Sequence, residues 1–97
     1  MTPEKILEVS AQYRNYFVAG KVEKKEAPRD KHSLIRAERL SHCHYMTDKI
    51  DEFVKAGRIE KAFRWLGFIQ GTLFACGIHS IIELADHNSL PLESTST

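Results

Sequence analysis

Cysteine is scarce in this 97-residue chain. Cys43 and Cys76 are the only two, too few for the disulfide framework of a small secreted domain. No signal peptide is apparent ahead of them, so the expected compartment is a reducing cytoplasm. Charge of one sign is lacking as well: 14 Lys and Arg face 13 Asp and Glu. That near-balance excludes a polybasic nucleic-acid binder and an acidic mimic of DNA alike. No stretch alternates apolar and polar residues over a strand's length, and no glycine-rich turn follows a strand, which excludes a phosphate-loop enzyme. There is no internal repeat. What remains is one domain's worth of ordinary globular composition, 42% hydrophobic and 28% charged, long enough to bury roughly 65% of its unfolded surface.

The apolar residues recur at helical spacing. Thr2-Pro3-Glu4 supplies a capping hydroxyl, a proline at the first helical position and an acid in the first turn. Ile6, Val9, Tyr13, Tyr16 and Phe17 then form one stripe ahead of Gly20, which predicts helix one over about 3–18. Residues 20–30 carry seven charges of mixed sign and almost nothing to bury. This is a solvated connection, whose Lys24, Lys25 and Arg29 could reach over a neighbouring site. From about 30 to 56, Leu40, Cys43, Thr47, Ile50 and Val54 step by three and four, the seam of a helix that packs on another. Ile59, Ala62, Leu66, Ile69, Leu73 and Cys76 repeat the pattern over about 58–77. Joined across Gly57, the two should fold back as an antiparallel hairpin. Ser80 and Glu83 form a capping-box pattern for a short helix over about 81–87. The expected architecture is all-α: one helical domain over 1–90 and a polar tail over 91–97.

Helix three is apolar nearly all round. Its seam uses Leu66, Ile69 and Leu73, leaving Phe63, Trp65, Phe68 and Phe74 to face elsewhere. Gly67, Gly71 and Ala75 form a row of small side chains along which another backbone can come close. One partner helix cannot cover so much apolar surface, so a homo-oligomer is expected, with Gly67, Gly71, Phe68 and Phe74 at the subunit interface. A membrane span is the alternative, because Trp65–Ile82 runs 18 residues without a formal charge, His79 aside. Gln70, Thr72, His79 and Ser80 interrupt it, which argues against a spanning helix.

Few residues carry chemistry. His42 and His44 flank Cys43, but two steps on a helix put them about 200° apart, which rules out a shared metal ion on one regular helix. Cys43 and Cys76 lie on the seams and read as small core residues. No nucleophile has a base beside it, and Asp48, Asp51 and Glu52 read as a solvated face. Neither catalysis nor a cofactor is expected. Arg64 and Trp65, with Tyr45 and Gln70, are instead parts from which a nucleotide pocket between subunits could be made; the alternative is Trp65 as an interface anchor and Arg64 as a side chain snorkelling out of an apolar surface. A guanidinium grips a phosphate, and an indole or phenol stacks on a base, with Lys24 and Lys25 as further phosphate contacts.

The run Arg64-Trp65-Leu66-Gly67-Phe68-Ile69-Gln70-Gly71, followed by Ile82-Glu83-Leu84-Ala85-Asp86-His87-Asn88, resembles small proteins encoded by tailed phages and prophages. The likeness covers about the last third of the chain. In size, helical architecture and inferred assembly the chain is also similar to phage-encoded sponges of antiviral signalling, which hold nucleotides between subunits. The resemblance implies a phage accessory protein in the host cytoplasm that counters host defence by sequestering a small nucleotide signal. The alternative is a protein–protein module that inhibits a host protein or assists assembly. Neither calls for DNA as a partner.

Overall fold

Helix formation begins at the cap. Thr2 is extended, and its hydroxyl accepts the Lys5 backbone N–H at 3.1 Å. Pro3 then opens α1 (Pro3–Ala19), which buries Ile6, Val9, Ser10, Tyr13 and Phe17 along one side. In this computed structural model, which describes residues 1–90, three more helices follow: α2 (Arg36–Lys55), α3 (Ile59–Ala75) and α4 (Ile81–Asn88). No strand occurs among the described residues. The polar tail expected over 91–97 lies outside them.

The first three helices stop in the same way. Val22, Arg58 and Ile78 each donate a backbone N–H to a carbonyl five residues back, on Phe17, Phe53 and Leu73. That bond needs a left-handed residue just before the donor. Gly57 (φ 77°) and Gly77 (φ 73°) supply it after α2 and α3, whereas after α1 it is Lys21 (φ 56°) and not Gly20. Val22 and Ile78 then pack against the core.

The start of α2 differs from the sequence expectation of about residue 30. Residues 30–35 are not helical, and Ile35 is an extended N-cap whose N–H goes to the Glu38 carboxylate at 3.0 Å. With its first free donor satisfied there, the helix has no reason to extend further back. Residues 22–28, neither helix nor strand, run as a strap beside α2.

The hairpin of α2 and α3 packs Leu40, Cys43, Met46 and Ile50 against Ala62, Leu66, Ile69 and Leu73. α1 lies across it, mainly on α2. A polar clamp joins the same pair: the Arg14 guanidinium donates to the Thr47 carbonyl (2.9 Å) and reaches Asp51 (2.6 Å) and Asp48 (3.3 Å). Asp48 and Asp51 are therefore not the merely solvated face their spacing suggests. α4 buries no residue of its own. It is held by polar contacts, Gln70 and Asn88 exchanging two bonds (2.6 and 3.0 Å) and Tyr13 Oη meeting His87 Nδ1 at 2.8 Å. No helix among the described residues is long and apolar enough to cross a membrane.

Candidate ligand cleft between the strap and the hairpin

The strap is fastened to α2 by two imidazoles. The Ala27 N–H donates to His42 Nδ1 at 3.1 Å, so that nitrogen is bare and the proton sits on Nε2. His44 Nδ1 lies 2.9 Å from the Val22 carbonyl, which accepts only, so here Nδ1 carries the proton. Two histidines two residues apart thus hold opposite tautomers, each dictated by a backbone partner. The Lys25 N–H adds a bond to the Ser41 carbonyl (3.2 Å), and Lys24 pairs with Asp48 (2.9 Å).

Between this strap and the outer side of the hairpin lies a cleft of about 340 Å³, within the size range of small-molecule sites. Its apolar lining is Ala27, Pro28 and Leu34 from the connecting segment and Trp65 and Phe68 from α3. His42 stands between them, its ring edge-on to Phe68 at 6.2 Å. Arg29 and Lys31 bring cations to the same wall and Glu26 an acid. Both cations are already paired, Arg29 with Glu26 (3.3 Å) and Lys31 with Glu38 (3.1 Å). Such exposed pairs are worth about 0–1 kcal/mol, so an incoming anion displaces them at little cost. Burial holds the His42 imidazole below its ordinary range, with Arg29 pushing the same way and Glu26 opposing. Its neutral ring therefore offers a donor, Nε2–H.

The residues singled out from sequence separate into several places. Trp65 and Phe68 line the cleft. Trp65 also meets Phe53 edge-on (4.9 Å), with Lys61 Nζ 4.6 Å from the Phe53 ring centre and 6.0 Å from that of Trp65. Arg64 is not with them: it is exposed and paired with Glu60 at 3.0 Å, on the face that also carries Gly67, Gly71 and Phe74. Tyr45 touches His42 (5.7 Å between ring centres) but borders a separate acidic hollow with Asp48, Asp51 and Glu52. Gln70 is spent on α4, donating to Tyr13 Oη (3.0 Å) and Asn88 Oδ1 (2.6 Å). Lys24 is tied to Asp48, and Lys25 lines a separate hollow of about 280 Å³ with Glu23, Glu26 and Glu38. Of the three basic loop residues, only Arg29 reaches the aromatic cleft.

Sequence reasoning missed Lys31, Leu34 and His42 as cleft residues. One signal was present: Pro28 and Leu34 are apolar residues in an otherwise charged connection, and Trp65 and Phe68 lie three apart on α3. Burial also acts on Cys43, whose thiol is pushed up to about 11, which leaves it unreactive at neutral pH. In comparisons with known proteins, the chain matches no family model, no curated protein and no solved structure.

Proposed function

We propose that this chain is a non-enzymatic binding protein that holds a small nucleotide in the cleft between strap and hairpin. The observation that carries this reading is the lining itself: Trp65, Phe68 and His42 beside Arg29 and Lys31. A base stacked on an aromatic side chain gains about 1–3 kcal/mol. Arg29 and Lys31 meet the phosphate, and His42 Nε2–H donates one further bond. Binding is favoured over turnover because His42 Nδ1 is committed to the Ala27 backbone and the Cys43 thiol is buried and protonated. With the resemblance to phage accessory proteins, the biological reading is sequestration of a host nucleotide messenger, in the host cytoplasm, as a counter to host defence. Compared with the assignment made from sequence, Arg29 and Lys31 replace Arg64 as the phosphate contacts, while Trp65 keeps its stacking role.

Trp65 is the only tryptophan, so its emission reports directly on the cleft. Titration with mononucleotides, cyclic mononucleotides and cyclic dinucleotides should quench that emission saturably for at least one class. Replacing both Arg29 and Lys31 by Ala should weaken that binding tenfold or more, with unchanged circular dichroism. The reading is overturned if no nucleotide class alters the emission and native mass spectrometry of protein taken gently from cells shows no added mass.

A further inference from the structure

We infer that the cleft takes guanine nucleotides in preference to those of the other bases, with Glu26 and His42 reading the edge of the base. The inference rests on the nucleotide reading above and names its ligand. The Glu26 carboxylate is only half used by the chain. Arg29 supplies both of its hydrogen bonds, from Nε at 3.4 Å and from Nη2 at 3.3 Å, and both fall on Oε1. Each is longer than the usual N–H···O distance of about 2.9–3.0 Å. Oε2 accepts from no donor among the described residues. Glu26 lines the cleft together with His42, whose Nδ1 holds the N–H of the very next residue, Ala27. The carboxylate and the ring are close enough for Glu26 to act on the charge of His42.

Two features make this pair a reader of bases. His42 is fixed as a donor at Nε2–H, because Nδ1 is spent on the Ala27 N–H. Glu26 loses its one cation when Arg29 turns to a phosphate, and a carboxylate stripped of its donors in a partly covered cleft must find new ones. The Arg29 side chain is 84% exposed and hydrogen-bonded to no other residue, so it is free to make that turn. Phosphate binding therefore sets a requirement on the base: two adjacent N–H donors for the two carboxylate oxygens, beside an acceptor for His42. Guanine meets it. Its N1–H and N2–H2 lie side by side and match a carboxylate in the bidentate way a guanidinium does, and O6 follows on the same edge. The other bases bring Glu26 a single donor on any edge: the N6 amino group of adenine, the N4 amino group of cytosine or the N3–H of uracil. Adenine can still offer N7 to His42, but one carboxylate oxygen then stays unpaired. Trp65 and Phe68 stack on any base alike, so the choice among bases falls to Glu26 and His42.

Isothermal titration calorimetry of the full chain with GMP, IMP and AMP tests this, since IMP differs from GMP only in lacking the 2-amino group. GMP should bind about tenfold or more tighter than either of the others, the worth of one hydrogen bond to a charged group. Glu26→Gln should reverse the order. An amide presents one acceptor and one donor, the complement of an adenine edge, so AMP should gain and GMP should lose, each by about tenfold. A merely structural role for Glu26 would lower both together. The variant should keep its circular dichroism, because the one partner of Glu26 is Arg29 on the same segment. Equal affinities of wild-type protein for the three nucleotides overturn the inference and leave the nucleotide reading standing, and so does a Glu26→Gln protein that weakens for GMP and AMP alike. If none of the three binds, the inference falls, and the cyclic dinucleotide titration decides whether the nucleotide reading falls with it.

Discussion

Lys21 occupies a conformation that a side chain opposes. Its φ of 56° closes the end of α1, and a non-glycine residue pays about 1–2 kcal/mol in that region. At the two matching positions the chain has Gly57 and Gly77. Lys21→Gly should therefore stabilise the protein by about 0.5–1 kcal/mol, after subtracting the extra entropy of an unfolded glycine. In a chain of this size that raises Tm by several degrees, which thermal circular dichroism resolves; a lower Tm would show that the Lys21 side chain makes a compensating contact. Gly57→Ala should move Tm the other way by a similar amount. Arg14 is the second residue whose role is local and decisive. Its guanidinium is the only cation within reach of Asp51 among the described ion pairs, and it also holds the Thr47 carbonyl and Asp48. Arg14→Ala leaves Asp51 without its cation and removes one of the two side-chain donors on the Thr47 carbonyl, Ser10 being the other, and should cost about 2 kcal/mol, measured by urea unfolding. Arg14→Lys should recover only part of that loss, because a single ammonium cannot span three acceptors.

At the scale of elements, α4 is the one most easily detached. It has eight residues and buries none of them, and a helix so short does not persist alone in water. Its existence therefore depends on being docked. The docking bonds form one chain: the Gln70 amide donates to Asn88 and Tyr13, Asn88 donates back to Gln70, and the Tyr13 hydroxyl meets His87 Nδ1. Asn88→Ala should raise hydrogen exchange of the 81–88 amides at least tenfold, about 1–2 kcal/mol of lost hydrogen bonding, with exchange in α2 and α3 unchanged. Equal acceleration in all the helices would instead mean that α4 unfolds only with the core. α4 was legible beforehand, because the Ser80 and Glu83 capping box is a local signal and both its bonds are present (3.2 and 2.8 Å). So were the three-and-four steps that place Leu66, Ile69 and Leu73 inside. Periodicity reports which side of a helix is apolar and nothing about what stands opposite. The Arg14 clamp, the Gln70 link to Tyr13 and the strap fastened to His42 join residues 15 to 57 positions apart, and the angles between helices decide them. The cleft was half legible for the same reason: Trp65 announced an aromatic site, and the chain path around Pro28 and Leu34 chose Arg29 and Lys31, not Arg64, to share it.

For the whole molecule, acid should act in two stages, because its two kinds of polar tie titrate in different ranges. His42 fastens the strap by accepting the Ala27 N–H at Nδ1, a bond that protonation would destroy, and His87 holds α4 against Tyr13, whose hydroxyl lies 2.8 Å from its Nδ1. Burial lowers both imidazoles from their ordinary 6.5. His79 and Lys5 act on His87 in the same direction, against Asp86 and Glu83, as Arg29 acts on His42 against Glu26. A base held neutral in the fold contributes stability in full above pH 6.5, and loses it as pH falls below 6.5 towards the lowered folded value. The His79 ring centre lies 4.7 Å from that of His87, close enough to oppose a charge on His87. The core is governed by carboxylates. Lys24 and Arg14 hold Asp48 below its ordinary 3.8, so that tie is complete above 3.8 and is lost only as pH falls through the depressed folded value. Between these ranges the Ala27 end of the strap and α4 should loosen, while α1, α2 and α3 stay packed and the Lys24–Asp48 tie holds the strap's first half. Protection factors, the exchange rates taken relative to the intrinsic rate at each pH, should fall from pH 7 to pH 5 around Ala27 and over residues 81–88, with helical circular dichroism falling by little more than the share of α4. His87→Gln and His42→Gln should each flatten the change in their own segment alone, a selectivity that general acid expansion would not produce. If nucleotide binding resides in the cleft, it should weaken over the same interval and with the same sensitivity to His42, because the strap carries Arg29 and Lys31 away as it loosens. A cleft that keeps full affinity at pH 5 while the strap exchanges freely would separate binding from the strap and return the phosphate contacts to the hairpin, where Lys61 is the cation nearest Trp65.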